Sequence, residues 1–578
     1  MGCRHDPSEI PPGEIISSPQ PHRPTGLARS FQSSSRLVAP ETVNPSPPET
    51  EQSDWFEDVT AASRISFTYR NGEEGGHLFI LESLGGGAAA FDFDRDDFTD
   101  IFFTGGGTID SNATIAGLPS ALFRNVSEFH FDEVSAQARV LSGGDYSHGC
   151  FAADFDCDGF PDFIVTAYGR CRLFKNLGDG TFIDMTAGSG INQMGWWTAA
   201  AWGDINRDGL PDLYLASYLQ WSPASDQKCW NPLKQREVCG PNRFPAADDR
   251  VYRNLGDGSF EDITESVQVQ PGGNGLAVVA ADINRDGLVD FYVANDETDN
   301  FLYLGRSDGT LQEMGHAVGV AVNQYGTHEG SMGVEAGDYD QDGRCDLWVT
   351  NFELEDNALY RNLGDEIFLQ TTNTAGLAGR SRLQVGFGTA LEDFNGDGRL
   401  DLLVINGHVF YGGGQLPYRQ KPQLFQNTAD GRFKEVSRSA GTYFRENHPG
   451  RGATVGDFDN DGGIDVVVVH QNEPVSVLRN RFPHQRFISL DIIGTRVDRD
   501  AIGTTVTVRQ EGDERVAFVR SGAGYLSHFD RRVVMAVTDA PFDVKVCWTD
   551  GMTEIFRAVP TGRTSHLIQG QSQTDAAP

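Results

Sequence analysis

DFDCDGFPD, residues 154–162, places four aspartates and one glycine within nine residues. The carboxylates stand at positions 1, 3, 5 and 9, and the glycine at position 6. Alternate side chains of a tight loop can converge on one centre, which a hard cation with oxygen ligands needs. Position 6 is where such a loop turns sharply, and glycine takes a positive φ there most easily. A single copy could be a solvated turn, but this sequence holds seven.

The other six are DFDRDDFTD from Asp92, DINRDGLPD from Asp204, DINRDGLVD from Asp282, DYDQDGRCD from Asp338, DFNGDGRLD from Asp393 and DFDNDGGID from Asp457. The candidate ligands of the first three loops are Asp92, Asp94, Asp96 and Asp100; Asp154, Asp156, Asp158 and Asp162; and Asp204, Asn206, Asp208 and Asp212. Those of the next two are Asp282, Asn284, Asp286 and Asp290, then Asp338, Asp340, Asp342 and Asp346. The last two offer Asp393, Asn395, Asp397 and Asp401, then Asp457, Asp459, Asp461 and Asp465. The first loop carries Asp97 where the others have glycine, so its turn is expected to be strained or different. No copy has the position-12 glutamate of an EF-hand. Each loop is instead followed by a short β-rich run, such as FIVTA or LYLAS, which reads as a buried strand.

A second element follows each loop: LFRN at 122, LFKNLGDGTF at 173, VYRNLGDGSF at 251, LYLGRSDGTL at 302, LYRNLGDEIF at 359, LFQNTADGRF at 424 and VLRN at 477. An apolar pair, a Gly/Asp turn and another apolar residue predict a hairpin. Two strands around the loop and two in the hairpin make a four-stranded unit, with loop starts 62, 50, 78, 56, 55 and 64 residues apart. Four-stranded sheets at that period are propeller blades, so the expectation is an all-β, seven-bladed β-propeller whose closure removes exposed sheet edges.

The loops resemble the FG-GAP repeats of integrin α-subunit propellers, whose DxDxDGxxD loops bind calcium. The resemblance implies up to seven structural Ca2+ ions that pin the blades. Beyond the last loop, FISLDIIGT, TTVTVRQ, ERVAFVRS, VVMAV and DVKVCWTDG alternate like strands of a small β domain. There RDAIGTTVTV (499–508), SGAGYLSHFD (521–530) and VKVCWTDG (544–551) resemble the UnbV/ASPIC domain. CGPNRF at 239, ANDETDNFLY at 294 and INGHV at 405 extend a likeness to the cartilage acidic protein family and its bacterial relatives. For that family, binding and adhesion roles are implied more than chemistry. The expected division is a disordered Pro/Ser-rich tail at 1–50, a propeller at 51–481, an UnbV/ASPIC-like domain at 482–570 and a disordered tail at 571–578.

A net charge of −36 repels nucleic acid and anionic membranes, and suits divalent cations where carboxylates cluster. No run of about 18 apolar residues predicts a membrane-spanning helix. The opening MGCRHDPSEI lacks the apolar region of a secretory signal. Gly2-Cys3 would fit the end of a lipoprotein cleavage site if translation began upstream, making the tail a tether. An extracytoplasmic, monomeric protein is expected, although no signal peptide is visible in this sequence. Of eight cysteines, Cys229 and Cys239 bracket a Trp/Pro segment and can close a small loop; the alternative is scattered reduced thiols.

Extra residues fall at about 104–121, 217–250 and 406–422, after the second strand of units 1, 3 and 6. They emerge opposite the cation loops, on the face by which propellers of this type generally bind partners. Tyr146, His148, Trp196, Trp197 and Trp221 map there, with Trp230, His328, His408, Tyr411, Tyr418 and His448. Aromatic platforms suit a protein or glycan partner, although the same rings can simply pack the inserted loops. The competing expectation is an enzyme acting on a glycan or secondary metabolite through Asp145, His328, Glu329 and His408. No GxSxG, HExxH or P-loop supports it.

Overall fold

In the computed structural model, residues 54–572 are described apart from short segments at 128, 142, 232, 412–415, 483–485, 511–512 and 538–541. The tail expected at 1–50 lies outside the described residues, as does 571–578 beyond residue 572.

The fold is a β-propeller followed by a small β domain. Among the described residues, seven four-stranded antiparallel units recur, two of them joined edge to edge through Met194–Trp196 and Tyr168–Arg170. Their first strands are Ala88–Phe91, Tyr146–Ala153, Met194–Gly203, Gly275–Ala281, Val334–Gly337, Gly386–Glu392 and Gly450–Gly456. Each packs against the next, and the last packs against the first. The inner strands are rich in Ala, Gly and Val and are almost wholly buried, whereas each fourth strand buries a single residue of its three or four. Small residues let seven strands crowd a narrow centre.

The seventh unit takes its outer strand from the other end of the chain. Phe56–Asp58 pairs antiparallel with Ser476–Asn480, so residues more than 400 apart complete one sheet. Hairpin asparagines bind the units to each other. The side-chain amides of Asn176, Asn254, Asn362, Asn427 and Asn480 donate to the carbonyls of Phe93, Phe155, Ile283, Tyr339 and Phe394, each at position 2 of the preceding unit's loop. The distances are 2.7–3.1 Å. In the fourth unit Gly305 occupies the asparagine's place, and a Cβ there would lie 2.6 Å from the Val289 carbonyl.

The C-terminal domain has two sheets. Phe487–Ile493 lies between Val533–Ala536 and, in parallel, Thr564–Ile568; Asp513–Phe518, Thr505–Gln510, Phe542–Cys547 and Thr553–Val559 form the other. Ile488, Leu490, Val506, Val544, Val546 and Trp548 fill the space between them.

From this domain, residues 519–532 enter the centre of the ring. Ser521 exchanges both backbone hydrogen bonds with Ala280, and Gly524 does the same with Val334. His528 bonds Ala88 and Ala90, and Asp530 bonds Val455. Tyr525 and Leu526 are fully buried, with the Tyr525 ring edge-on to Phe387 at 4.9 Å. Glycines admit the inserted segment: a Cβ on Gly87 would sit 1.9 Å from the Leu526 carbonyl oxygen. SGAGYLSHFD is therefore a stopper for the channel.

Candidate functional site: acidic loops beneath a capping domain

Every acidic loop follows one plan. In the second, Asp154 Oδ1 accepts the Asp158 N–H at 3.0 Å and Oδ2 the Gly159 N–H at 2.8 Å. Asp162 accepts the Phe155 N–H at 3.1 Å and the Asn176 N–H at 2.7 Å, tying the loop to the hairpin. Position 6 has positive φ throughout, including 68° at Asp97. Position 4 is also left-handed, at Arg95, Cys157, Arg207, Arg285, Gln341, Gly396 and Asn460. That second left-handed position was missed in the sequence because ordinary residues occupy it.

This backbone brings carboxylates of positions 1, 3 and 9 together in three loops, and of positions 1, 3 and 5 in the first. One ligand atom from each lies within 4.8 Å of the others in Asp92/Asp94/Asp96, Asp154/Asp156/Asp162, Asp338/Asp340/Asp346 and Asp457/Asp459/Asp465. Burial pushes Asp92 and Asp338 up to about 6 and Asp154 and Asp457 to about 7, because close-set acids out of water resist ionisation. Position-3 aspartates carry the clearest sign of a missing partner. Asp94, Asp156, Asp340 and Asp459 each keep a buried Oδ1 with no hydrogen bond. A buried carboxylate oxygen without a donor is costly, and a divalent cation between the carboxylates would remove that cost.

The other oxygen of these four pairs with a cation from the unit's own third strand: Arg124 with Asp94, Lys175 with Asp156, Arg361 with Asp340 and Arg479 with Asp459. The remaining loops have asparagine at position 3, and their strands offer no such cation. Arg253 turns to Glu261, and the equivalent residues of the fourth and sixth units are Leu304 and Gln426. Four carboxylates less one strand cation, and three carboxylates with none, both leave −3. A strand cation that pairs with the loop thus accompanies aspartate at position 3, whereas the net charge differs between loops, because Asp97 adds a carboxylate to the first and Arg344 and Arg399 add a further cation to the fifth and sixth.

The C-terminal domain covers this acidic face. Arg499 pairs with Asp154 at 3.3 Å, and Asp500 accepts the Asp154 N–H at 2.8 Å. Arg95 pairs with Asp491, Arg207 donates to the Thr549 carbonyl, and Arg532 donates to the Asp457 carbonyl.

The opposite face differs from an open aromatic platform. Tyr146, His148, Trp196, Trp197, Trp221 and His408 are buried, and Tyr411, Tyr418 and His448 are half-buried. Trp196 meets Tyr168, Tyr218 and Trp221 at ring separations of 5.1–5.7 Å. Large rings are worth more packed beneath the inserted loops than left in water. Cys229 and Cys239 are bonded to each other and brace the longest insertion, whose Cys229–Trp230 and Arg236–Glu237 pair as a small hairpin. Exposed apolar residues on this face come from other positions: Trp230 (60%), Leu233, Tyr325 (81%), Leu354 and Leu383. Of these only Trp230 is marked in the sequence, since isolated apolar loop residues have no period to reveal them.

The four groups considered for acid–base chemistry each have their own surroundings. His328 is exposed and 3.6 Å from Asp299, while His408 is buried and 3.2 Å from Glu353. Glu329 accepts from Asn323 and Asn351, and Asp145 lies against Gly169. Among the described residues no helix is long and apolar enough to cross a membrane.

Comparison with known proteins matches residues 154–215, 238–293, 282–349, 338–404 and 393–468 to the FG-GAP-like repeat, and 494–574 to the ASPIC and UnbV domain. Cartilage acidic protein 1 of Homo sapiens is 23% identical over 320 residues, 52% of this chain and 44% of that protein. The Xenopus tropicalis protein of that name is 28% identical over 305 residues, 51% of this chain and 44% of its own. The chain thus spans less than half the length of these relatives. Among solved structures, the BP39L lectin of Burkholderia pseudomallei aligns with a TM-score of 0.41 and 10% identity, over 68% of this chain and 96% of that one. An Agrocybe aegerita lectin that recognises non-reducing terminal N-acetylglucosamine aligns with a TM-score of 0.37 and 16% identity, over 63% and 88%.

Proposed function

Because the chain belongs to the FG-GAP-like repeat family and ends in an ASPIC and UnbV domain, we propose that it is a calcium-stabilised, extracytoplasmic binding protein. In this reading residues 51–481 form a seven-bladed ring and 482–570 its cap. Calcium sits in up to seven acidic loops, and a protein or glycan partner meets the opposite face. The observation that carries the binding role is the group of exposed apolar side chains there. Trp230, Leu233, Tyr325, Leu354 and Leu383 all lie in loops opposite the cation loops, and the Leu354 N–H donates to the Arg382 carbonyl next to Leu383. Apolar side chains exposed on one face, two of them (Trp230 and Leu233) in a loop braced by a disulfide, are what an interface uses as anchors. The orphaned Oδ1 atoms of Asp94, Asp156, Asp340 and Asp459 support calcium.

The test is a glycan array together with binding to extracellular proteins, comparing the calcium-loaded chain with a Trp230→Ser/Tyr325→Ser/Leu354→Ser variant. Binding by the parent that falls at least tenfold in the variant, with unchanged thermal stability, supports the reading. Equal binding by both would place the partner elsewhere.

A further inference from the structure

Between the first two acidic loops and the C-terminal domain lies a cavity of about 470 Å3. That volume falls within the range of small-molecule sites. Phe91, Phe160, Ile493, Ile502 and Val519 form apolar wall. Five arginines also line it: Arg95, Arg499, Arg520, Arg531 and Arg532.

Most of these ion pairs are turned the same way. Arg499 keeps 32% of its side-chain surface accessible while its partner Asp154 keeps none. Arg531 keeps 21%, against 6% for Asp491 and 10% for Asp500. Arg95 keeps 26%, again facing Asp491 at 6%. Arg520 repeats the pattern with Glu335, at 21% against none, although its second partner Glu392 keeps 20%. Asp491, Asp500 and Asp530 also line the cavity, but Arg95, Arg499 and Arg531 are the more exposed members of their pairs and offer the larger share of free polar surface. Arg520 and Arg531 are both among the residues that line the cavity. His528 also lines the cavity and is held neutral by burial, at about 4.

We propose that this cavity binds a small organic oxyanion, a carboxylate or phosphate head on an apolar body. Guanidinium edges match such a head in charge and in fork geometry, and the aromatic and aliphatic wall receives the body. The site is separate from the partner-binding face. Three acids line its propeller side, Asp92, Asp97 and Asp158, the first and last being candidate cation ligands. Filling those loops with calcium lowers the repulsion an entering anion meets.

The probe is 8-anilinonaphthalene-1-sulfonate, an aromatic anion whose fluorescence rises on leaving water, titrated into the full calcium-loaded chain. One saturable site is expected. Arg499→Gln should weaken binding about tenfold, the value of one charge-assisted contact. Thr564→Phe, which narrows the cavity, should abolish it, and Arg306→Gln, in the hairpin of the fourth unit and not among the residues that line the cavity, should leave it unchanged. Displacement by benzoate or by phenyl phosphate then identifies the preferred head. Absence of a saturable site, displacement by neither anion, or binding unmoved by both Arg499→Gln and Thr564→Phe overturns the proposal. Melting curves identify any variant that fails to fold, and the two substitutions are independent. The partner-face variant should bind the probe normally, so the two readings can fail separately.

Discussion

The side-chain amide of Asn125 donates to the carbonyl oxygen of Phe458 at 2.8 Å, across 333 residues of sequence. It is the ring-closing member of the asparagine series, joining the first unit to the seventh. The same amide reaches the Thr99 carbonyl at 3.2 Å, and the Asn125 N–H donates to Asp100.

Asn125→Ala would strand two buried carbonyls, so it should lower stability by about 1–3 kcal/mol. Urea unfolding in excess calcium measures this. A loss below about 0.5 kcal/mol would show that the latch contributes no more than an ordinary surface contact.

The pairing of Lys175 with the second loop predicts opposite effects of one substitution. Lys175→Gln leaves Asp156 and Asp158 without their cation. Stability in chelator should fall by roughly 0.5–1 kcal/mol, the range of a partly exposed pair, while the gain on adding calcium should increase. Melting with and without calcium tests both. A smaller calcium gain in Lys175→Gln than in the parent contradicts the assignment of Lys175 as the loop's compensating charge.

Stability should also depend on pH through acids outside the loops. Burial pushes Asp249 and Asp296 up to about 7, each accepting a tyrosine hydroxyl, from Tyr214 at 2.7 Å and Tyr218 at 2.6 Å. Their folded pKa values exceed the unfolded value of 3.8. Their stabilisation is therefore complete below about pH 4 and is lost as pH rises through 7. Denaturant unfolding from pH 5 to 8 at saturating calcium should show a decline that Asp249→Asn reduces by on the order of 1–3 kcal/mol. An identical slope in the variant would remove Asp249 from the account.

The stopper predicts one cooperative unit. Tyr525→Ala empties a buried ring position and should cost about 3–5 kcal/mol. In calorimetry the parent should melt in one transition, and the variant should separate cap from propeller. Two transitions already present in the parent would mean that the inserted segment does not couple them.

The acidic loops are legible in sequence because seven copies repeat the same polar spacing, and each copy checks the others. The outer strand of the last unit was less visible, although Phe56-Glu57-Asp58-Val59-Thr60 nearly repeats Phe260-Glu261-Asp262-Ile263-Thr264. It lies at the far end of the repeats, where no neighbouring loop draws attention to it. SGAGYLSHFD could be recognised as a motif but not as an insertion, because its partners are backbone groups of Ala88, Ala280 and Val334 that no sequence pattern marks. The rings of Trp196 and Trp221 are likewise easy to place on a face, yet their burial depends on how the insertions fold over them.

Closure by Phe56–Asp58 also sets an order of events in time. This strand leaves the ribosome about 400 residues before Ser476–Asn480, the partner it needs. At roughly 5–20 residues per second it waits about 20–80 s with an unpaired edge, open to stray pairing with other nascent chains. The segment at 519–532 emerges later still, so the channel can be stoppered only after the last repeat has been made. Native assembly therefore waits for the inserted segment, and a chain truncated before Ser521 would present an unfilled ring to the quality-control machinery of the cell.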